Sequence, residues 1–341
     1  ASKEDLSIAT RFEVFEDLSK ERSDRYQYIY PDFTITKLIN TETDLKGELS
    51  FTSSGSQKNY DTNIYESVLI NDFAYNSIPF FLKNGITNNL KFLFKNVNTK
   101  GQKSSNYEDK LSSENFAAFS FNSSFPLKKS GKNTNSYFTP KASFRIRPNK
   151  SSNLTDLDRR IDFNNIFSLN RVAGSDTIEG GQSLTIGSEY ILKTKNDDEL
   201  LSLNLATNFK DVKDSRLPTS SKLGNKSSDI VGELKLIPNK YIDFIYNFSL
   251  DNSLNTSNYN FVKSTITINN FVTSFEFLEE NNELGSESYL SNNIGYTFDK
   301  NNKLKFETRK NKKTNLTEFY NLIYEYKNDC LVAAVEYNKD Y

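Results

Sequence analysis

Residues 241–250 read YIDFIYNFSL, and apolar side chains recur at every second position of this stretch. Side chains of an extended chain point alternately to its two faces. One face would therefore carry an unbroken apolar row, and the other would carry a mixed, largely polar one. The apolar row consists of Ile242, Phe244, Tyr246, Phe248 and Leu250. The stretch predicts a β-strand whose two sides meet different surroundings.

The same period of two recurs along the chain. At 199–209, Leu201, Leu203, Leu205 and Phe209 alternate with Ser202, Asn204, Ala206 and Asn208. At 138–147, Phe138, Ala142, Phe144 and Ile146 oppose Lys141, Ser143, Arg145 and Arg147. Clear alternation also occupies 288–298 and 316–326, and weaker alternation occupies 6–15, 26–39, 45–52, 64–75, 88–95, 115–125, 161–169, 182–193, 228–236, 260–268, 271–278 and 303–309. Apolar spacing of three and four is not sustained, so the pattern predicts about eighteen strands and no amphipathic helix.

Composition fits strands that cross a membrane. The 341 residues have a formal net charge of −1 and are 36 % hydrophobic, yet 13 % are aromatic. No window approaches 18 apolar residues, but a transmembrane strand needs only about 9–11 residues, of which every second one is apolar. A mean hydropathy of −0.65 is therefore compatible with a barrel. The balanced charge predicts no nucleic-acid partner.

The lengths of the connections support a barrel over a soluble sandwich or β-solenoid. From residue 194 on, short and long connections alternate: 194–198, 210–227, 237–240, 251–258, 269–270, 279–287, 299–302, 309–315 and 327–329. Bacterial outer-membrane barrels have short periplasmic turns and longer outer loops. A wide barrel also accommodates polar inner faces, which a sandwich core cannot bury unpaired. We therefore predict an all-β fold, a large antiparallel transmembrane β-barrel. The chain is expected to be one domain over 1–341, incomplete, with roughly 18 strands of a larger barrel.

Residue types exclude much catalytic chemistry. The chain has no His and a single Cys, so a Ser-His-Asp triad, His-ligated zinc and an internal disulfide are impossible. The carboxylate pairs Asp197–Asp198 and Glu279–Glu280 are expected to be solvated loop residues. We predict neither an enzyme nor a cofactor. A metal site of loop carboxylates around Asp156 and Asp158 remains an open, weak alternative.

The single cysteine, Cys330, follows a predicted short turn at 327–329 and would begin the next strand at the periplasmic rim. A small buried or lipid-facing residue is the simpler interpretation. The periplasm is oxidising, however, and an unpaired thiol there tends to find a partner. That partner would have to lie outside this chain segment.

Several segments resemble the barrel domain of the LptD family of outer-membrane lipopolysaccharide-assembly proteins. They are RSDRYQYIYPDFTITK at 22–37, FNNIFSLNRVAGSDTIEGGQSLTIGSEY at 163–190, SSDIVGELKLIPNKY at 227–241 and FYNLIYEYKNDCLVAAVEYNKDY at 319–341. Within the second segment, Asn170, Arg171, Gly174, Asp176 and Gly187 match a family-like loop motif. Val172 and Thr177 stand where the family usually has Phe and Arg.

The resemblance implies a barrel of roughly 26 strands in the Gram-negative cell outer membrane, with a lateral opening between its first and last strands. Lipopolysaccharide would pass through that opening into the outer leaflet. An LptE-like lipoprotein would plug the lumen. A periplasmic jellyroll domain outside this chain would receive lipopolysaccharide from a bridge protein, and a disulfide would tie that domain to Cys330. The family's jellyroll and last strands are expected to be missing, so the chain should be a fragment.

Three basic residues on one face of 138–147, Lys141, Arg145 and Arg147, are predicted to face the lumen. They could contact lipopolysaccharide phosphates or the plug, or form paired charges that support the wall. Two other functions stay open: a passive porin or hydrophobic-solute channel, and a surface adhesin or soluble β-solenoid.

Overall fold

The computed structural model describes residues 2–3, 5–21, 24–39, 46–61, 63–148, 153–157, 159–219, 222–281 and 285–340. The described residues form twenty strands. Within the same ranges there is no helix long and apolar enough to cross a membrane.

The strands vary in length, and seventeen of the twenty have nine residues or more. They are β1 (Ser2–Lys3), β2 (Leu6–Glu16), β3 (Tyr26–Ile39), β4 (Gly47–Tyr60), β5 (Ile64–Ser77), β6 (Phe80–Phe81), β7 (Thr87–Gln102), β8 (Ser112–Ser124), β9 (Leu127–Ser130), β10 (Thr134–Arg147), β11 (Gly181–Thr194), β12 (Glu199–Lys210), β13 (Ile230–Asn239), β14 (Ile242–Leu250), β15 (Ser257–Ile268), β16 (Phe271–Glu280), β17 (Ser288–Thr297), β18 (Asn302–Asn311), β19 (Thr317–Lys327) and β20 (Val332–Asp340). A length of nine or more residues suffices for a tilted strand to cross a bilayer.

The chain divides into two compact units. Unit 1 consists of 1–123, 143–152 and 172–182. Its strands β2, β3, β4, β5 and β7 pair in that order, and every pairing is antiparallel. The short strands β1 and β6 extend the pairing at β2 and β7. Unit 1 is therefore a meander, in which sequence neighbours are also hydrogen-bonded neighbours.

Unit 2 consists of 124–142, 153–171 and 183–341. Strands β11 to β20 pair consecutively, again all antiparallel. Their connections alternate in length as the sequence predicts: 195–198, 240–241, 269–270, 298–301 and 328–331 are short, and 211–229, 251–256, 281–287 and 312–316 are longer. In a meander, alternate connections lie at opposite ends of the strands, so the longer ones share one end.

On β10, β11 and β12 the exposed and buried faces are reversed relative to a water-soluble sheet. On β11, Leu184 and Ile186 are 39 % and 47 % exposed, whereas Ser183 and Thr185 are 4 % and 3 % exposed. Strands β10 and β12 each repeat this arrangement: Phe144 and Phe209 are exposed, and Ser143, Arg145, Asn208 and Lys210 are buried. Leaving such apolar rows in water forgoes about 25 cal/mol per Å² of stabilisation. An exposed apolar side over a polar inner side is the arrangement of a transmembrane barrel wall.

The stretch that decides the fold shows the same pattern. Tyr246 and Phe248 lie side by side on one face of β14, with ring centroids 5.2 Å apart. Ser249, on the opposite face, is buried and donates a hydrogen bond to Asp229 Oδ2 at 3.2 Å. The aromatic rings therefore do not form a dry interior, and the polar side chain occupies the buried side.

Eight of the fifteen buried apolar side chains of the described residues lie outside the strands. Five of the eleven largest fully buried side chains of the described residues belong to the β10–β11 connection: Ile161, Ile166, Arg171, Ile178 and Glu179. The strand expected at 161–169 is wrong, because these residues form turns and bends. Alternating burial arises there from a folded-in connection, since a period of two does not separate a strand from a short packed coil.

These observations confirm the predicted fold class, the antiparallel all-β architecture of a large barrel. The single-domain organisation over 1–341 stays a prediction.

Candidate functional site

The predicted basic residues of β10 meet groups of the protein itself. Arg145 and Arg147 are 3 % and 6 % exposed. Arg147 Nη1 donates a hydrogen bond to the Ile178 carbonyl at 2.9 Å, and Arg145 donates to the Glu179 carbonyl. The Arg147 guanidinium also lies over the Phe116 ring, 4.6 Å from its centroid. Both arginines thus donate charge-assisted hydrogen bonds to the main chain of the β10–β11 connection.

Lys141, nearer the start of β10, has a different environment. Its ammonium pairs with the Glu189 carboxylate of β11 and lies over the Phe163 ring, 5.7 Å from its centroid. Both partners of this ion pair are about 30 % exposed, so the pair is only partly desolvated. Lys141 therefore forms a paired charge, whereas Arg145 and Arg147 contact neutral main-chain carbonyls, and both interpretations left open by the sequence stay predictions.

A further cation, Lys95 of β7, was not singled out from the sequence. Lys95 is 6 % exposed, and its ammonium lies 2.8 Å from both Asp72 and the Ser175 carbonyl. The alternation along β7 could have identified Lys95, because Phe92 and Phe94 occupy the opposite, exposed face of the strand. A lysine on the face opposite exposed aromatics should have been expected to be buried and paired.

Arg171 is the most deeply buried residue of the family-like motif. It is 1 % exposed and donates hydrogen bonds to Asn208 Oδ1 at 2.5 Å and to Ser183 Oγ at 3.0 Å. Thr185 Oγ1 donates to the same Asn208 oxygen at 3.2 Å. The Arg171 guanidinium thus organises polar side chains from β11 and β12. The alternation of polar and apolar residues along these strands already indicated a polar side here.

The other motif residues lie in separate surroundings. Asp176 accepts a hydrogen bond from the Tyr107 hydroxyl at 3.2 Å. Burial, assisted by the Asp176 charge, raises the pKa of Tyr107 to about 12, so the phenol stays a donor. Asn170 and Gly174 are half-buried in the same connection. Four of the five motif residues thus belong to the β10–β11 connection, and Gly187 belongs to β11.

Gly187 has a steric role. A Cβ at this position would lie 2.6 Å from the Leu205 carbonyl oxygen and 2.9 Å from Phe167 Cζ. Both distances are below ordinary van der Waals contact, so only glycine lets the Phe167 ring of the connection approach β11 so closely. The family-like pattern identified Gly187 but gave no reason for it, and the packing supplies one.

Charged side chains join the longer connections of unit 2. Asp229 is fully buried, and its Oδ2 accepts a hydrogen bond from Asn258 at 2.6 Å. Lys222 Nζ lies 3.4 Å from Asp229 Oδ1 and 2.5 Å from Asp251 Oδ2. Burial alone would lower the pKa of Lys222, but the Asp251 hydrogen bond and the two negative charges outweigh it and raise the pKa. The cluster fastens the 211–229 connection to the start of the next longer connection.

Cys330 lies in the short connection 328–331, two residues before β20 begins at Val332. The prediction that Cys330 itself begins the strand is therefore wrong by two residues, because the Asn328 side chain shapes a turn. Asn328 Oδ1 accepts hydrogen bonds from the backbone N–H groups of Cys330 and Leu331 at 3.0 and 2.8 Å. The thiol of Cys330 is free and exposed.

The part of the chain that the structure describes contains no cluster of three or more His, Cys, Asp or Glu residues able to hold a metal ion. Asp156 is described, and Asp158 lies outside the described residues. In each unit, polar and charged side chains of the strands hold part of the β10–β11 connection through hydrogen bonds.

Comparison with known proteins agrees with this architecture. The family model described as "LptD: LPS transport system D" matches residues 9–311. No curated protein matches the chain. The matched range begins within β2 and ends with β18, and it includes the entire β10–β11 connection. A match over most of the chain confirms the resemblance found in the sequence. The chain belongs to the LptD family of lipopolysaccharide transport proteins.

Proposed function

We propose that this chain forms part of an outer-membrane barrel that inserts lipopolysaccharide into the outer leaflet. The observation that carries the proposal is the reversal of faces on β10, β11 and β12, where Phe and Ile are exposed and Arg, Thr and Asn are buried. Such strands suit a wall between lipid and a polar interior. The family match supplies the substrate class.

The physical task is to move an amphiphile without exposing either part to the wrong solvent. A polar interior accepts the anionic sugar head, and the acyl tails pass sideways into lipid through a seam between the first and last strands of the barrel. That seam must be weak, because each strand pair within hydrocarbon normally closes all its backbone hydrogen bonds. No covalent chemistry is required of the protein.

Two kinds of protein partner follow from the same proposal. An LptE-like lipoprotein would occupy the polar interior, and a periplasmic bridge protein would deliver lipopolysaccharide through a jellyroll domain. Cys330 supports the second contact, because its exposed thiol lies in a short connection, the kind that faces the periplasm in bacterial barrels. In that oxidising compartment Cys330 would form a disulfide with the jellyroll.

A passive porin is less well supported. Buried residues of the β10–β11 connection pack on the polar side of the strands, where an open channel would need water. An adhesin or soluble solenoid is also less well supported, because it would not leave rows of Leu, Ile and Phe exposed along its strands.

Depletion of the protein in its Gram-negative host tests the proposal. Newly made lipopolysaccharide should fail to reach the cell surface, and a plasmid copy should restore its labelling by an impermeant reagent. Normal surface lipopolysaccharide with reduced uptake of small solutes would contradict the proposal and favour a porin. Diagonal gels of the native protein and Cys330→Ser should show loss of one disulfide-linked species in the variant.

A further inference from the structure

Residues 159–180, the inner segment, contain a concentration of burial that a simple connecting loop does not need. Ile161, Ile166 and Ile178 are at most 2 % exposed, and Phe163 and Val172 are nearly as buried. None of these residues lies in a strand. The exposed faces of the neighbouring strands are apolar, so the inner segment must pack on their polar sides instead.

Within unit 2, the first part of the inner segment is fixed by side chains from several strands. Arg160 Nη2 lies 2.6 Å from Glu280 Oε1, and its guanidinium stacks 4.0 Å from the centroid of the Tyr259 ring. The expectation that Glu280 is a solvated loop residue is therefore wrong, because this carboxylate ends β16 and is 4 % exposed. Phe167 fills the space that Gly187 leaves open. These contacts reach β11, β15 and β16, so the segment is anchored to distant parts of the unit 2 meander.

Within unit 1, the second part is held through its main chain. Lys95, Arg145 and Arg147 donate to the carbonyl oxygens of Ser175, Glu179 and Ile178 respectively. Ser175 is exposed, whereas Ile178 and Glu179 are fully buried, and buried carbonyl groups outside strands require donors just as buried cations require acceptors. Each group satisfies the other, so the wall and the segment complete one another's hydrogen bonding.

We infer that the inner segment is a built-in plug that blocks solute passage along the polar side of these strands. This inference rests on the proposed function only in requiring a membrane-inserted barrel, and lipopolysaccharide plays no part in it. A wide barrel with a wet interior conducts ions. A covalently attached segment with an apolar core, seated on the polar wall by buried cations, replaces part of that water with packed protein, and the proposed lipoprotein would occupy the rest.

Planar-bilayer conductance of the purified full-length protein tests the inference. Replacing residues 161–178 with a Gly-Ser sequence of equal length removes the apolar anchors and keeps the chain connected. We expect conductance to rise about tenfold over the native protein, towards that of an open barrel. The same replacement of 312–316, a longer connection of unit 2, is the control and should leave conductance unchanged.

A point variant keeps the test valid if the replacement protein does not fold. Ile166→Asp places a charge in a fully buried position of the segment but in no strand, so it should dislodge the segment and raise conductance. Leu254→Asp, in an exposed part of another connection, is its control. Folding of each variant is checked by its resistance to unfolding in detergent before the sample is heated.

The plug is overturned if the replacement protein has native-like strand content and unchanged conductance. If the replacement protein does not fold, the same result for Ile166→Asp overturns it. A native protein that already conducts like an open porin would also overturn it. Failure of the native protein to insert would instead contradict the proposed function.

Discussion

Ile186→Arg places a charge on the exposed face of β11, close to the middle of that strand. The midpoint of Gly181–Thr194 lies one and a half residues away. This separation corresponds to about 5 Å along the strand and about 4 Å along the membrane normal at a tilt of ~40°. Arginine at the lipid-facing midplane of a barrel costs about 2–4 kcal/mol. The free energy of unfolding should fall by that amount, which is roughly a 30- to 900-fold change in the equilibrium constant.

Urea unfolding in lipid vesicles, with linear extrapolation, measures this difference. Val212→Arg, in the 211–229 connection, is the matched control because Val212 is also exposed but lies outside the strands. Its substitution should change stability by less than about 0.5 kcal/mol. If Ile186→Arg were equally neutral, the exposed face of β11 would be in water, and the reasoning that assigns it to lipid would be refuted.

Three other predictions concern the polar side and the connections. Gly187→Ala should destabilise the protein by about 1–3 kcal/mol through overpacking, whereas Gly295→Ala, where a Cβ meets nothing closer than 3.9 Å, should be neutral in the same unfolding assay. Arg171→Met should cost about 3 kcal/mol from lost buried hydrogen bonds, and a cost below about 1 kcal/mol would contradict the role of this network. The Lys222 hydrogen bond lowers the pKa of Asp251 to about 2. The stabilisation that ionised Asp251 gives the folded protein is therefore complete above the unfolded pKa of about 4 and is lost as pH falls through about 2. Asp251→Asn should flatten the dependence of the unfolding free energy on pH between about 4 and about 2, and an unaltered dependence would contradict the assignment.

The strand pattern was largely predictable because each face of a barrel wall meets a uniform solvent. On β12, the leucines and Phe209 occupy one side and Ser202 and Asn208 the other, as their alternation indicates. The connections of unit 2 also follow the predicted alternation of lengths. Both features are local, so they are present in the sequence without knowledge of tertiary contacts.

The β10–β11 connection could not be predicted in the same way. Ile161 and Ile166 are buried by strands that lie elsewhere in the sequence, and their spacing imitates a weak strand. The acceptors of Arg145 and Arg147 are main-chain carbonyls, which carry no residue signature. Long-range packing and backbone acceptors decide this part of the site, and neither is visible as a period or a motif.

Single-tryptophan fluorescence tests most directly which face meets lipid, because the natural chain contains no Trp. Ile186→Trp and Leu203→Trp place the probe on the apolar faces of β11 and β12, and Asn204→Trp places it on the polar face at the middle of β12. In vesicles with brominated acyl chains, we predict strong quenching of the first two probes and little quenching of the third. Equal quenching at Leu203 and Asn204, or quenching confined to Asn204, would contradict a wall between lipid and a polar interior.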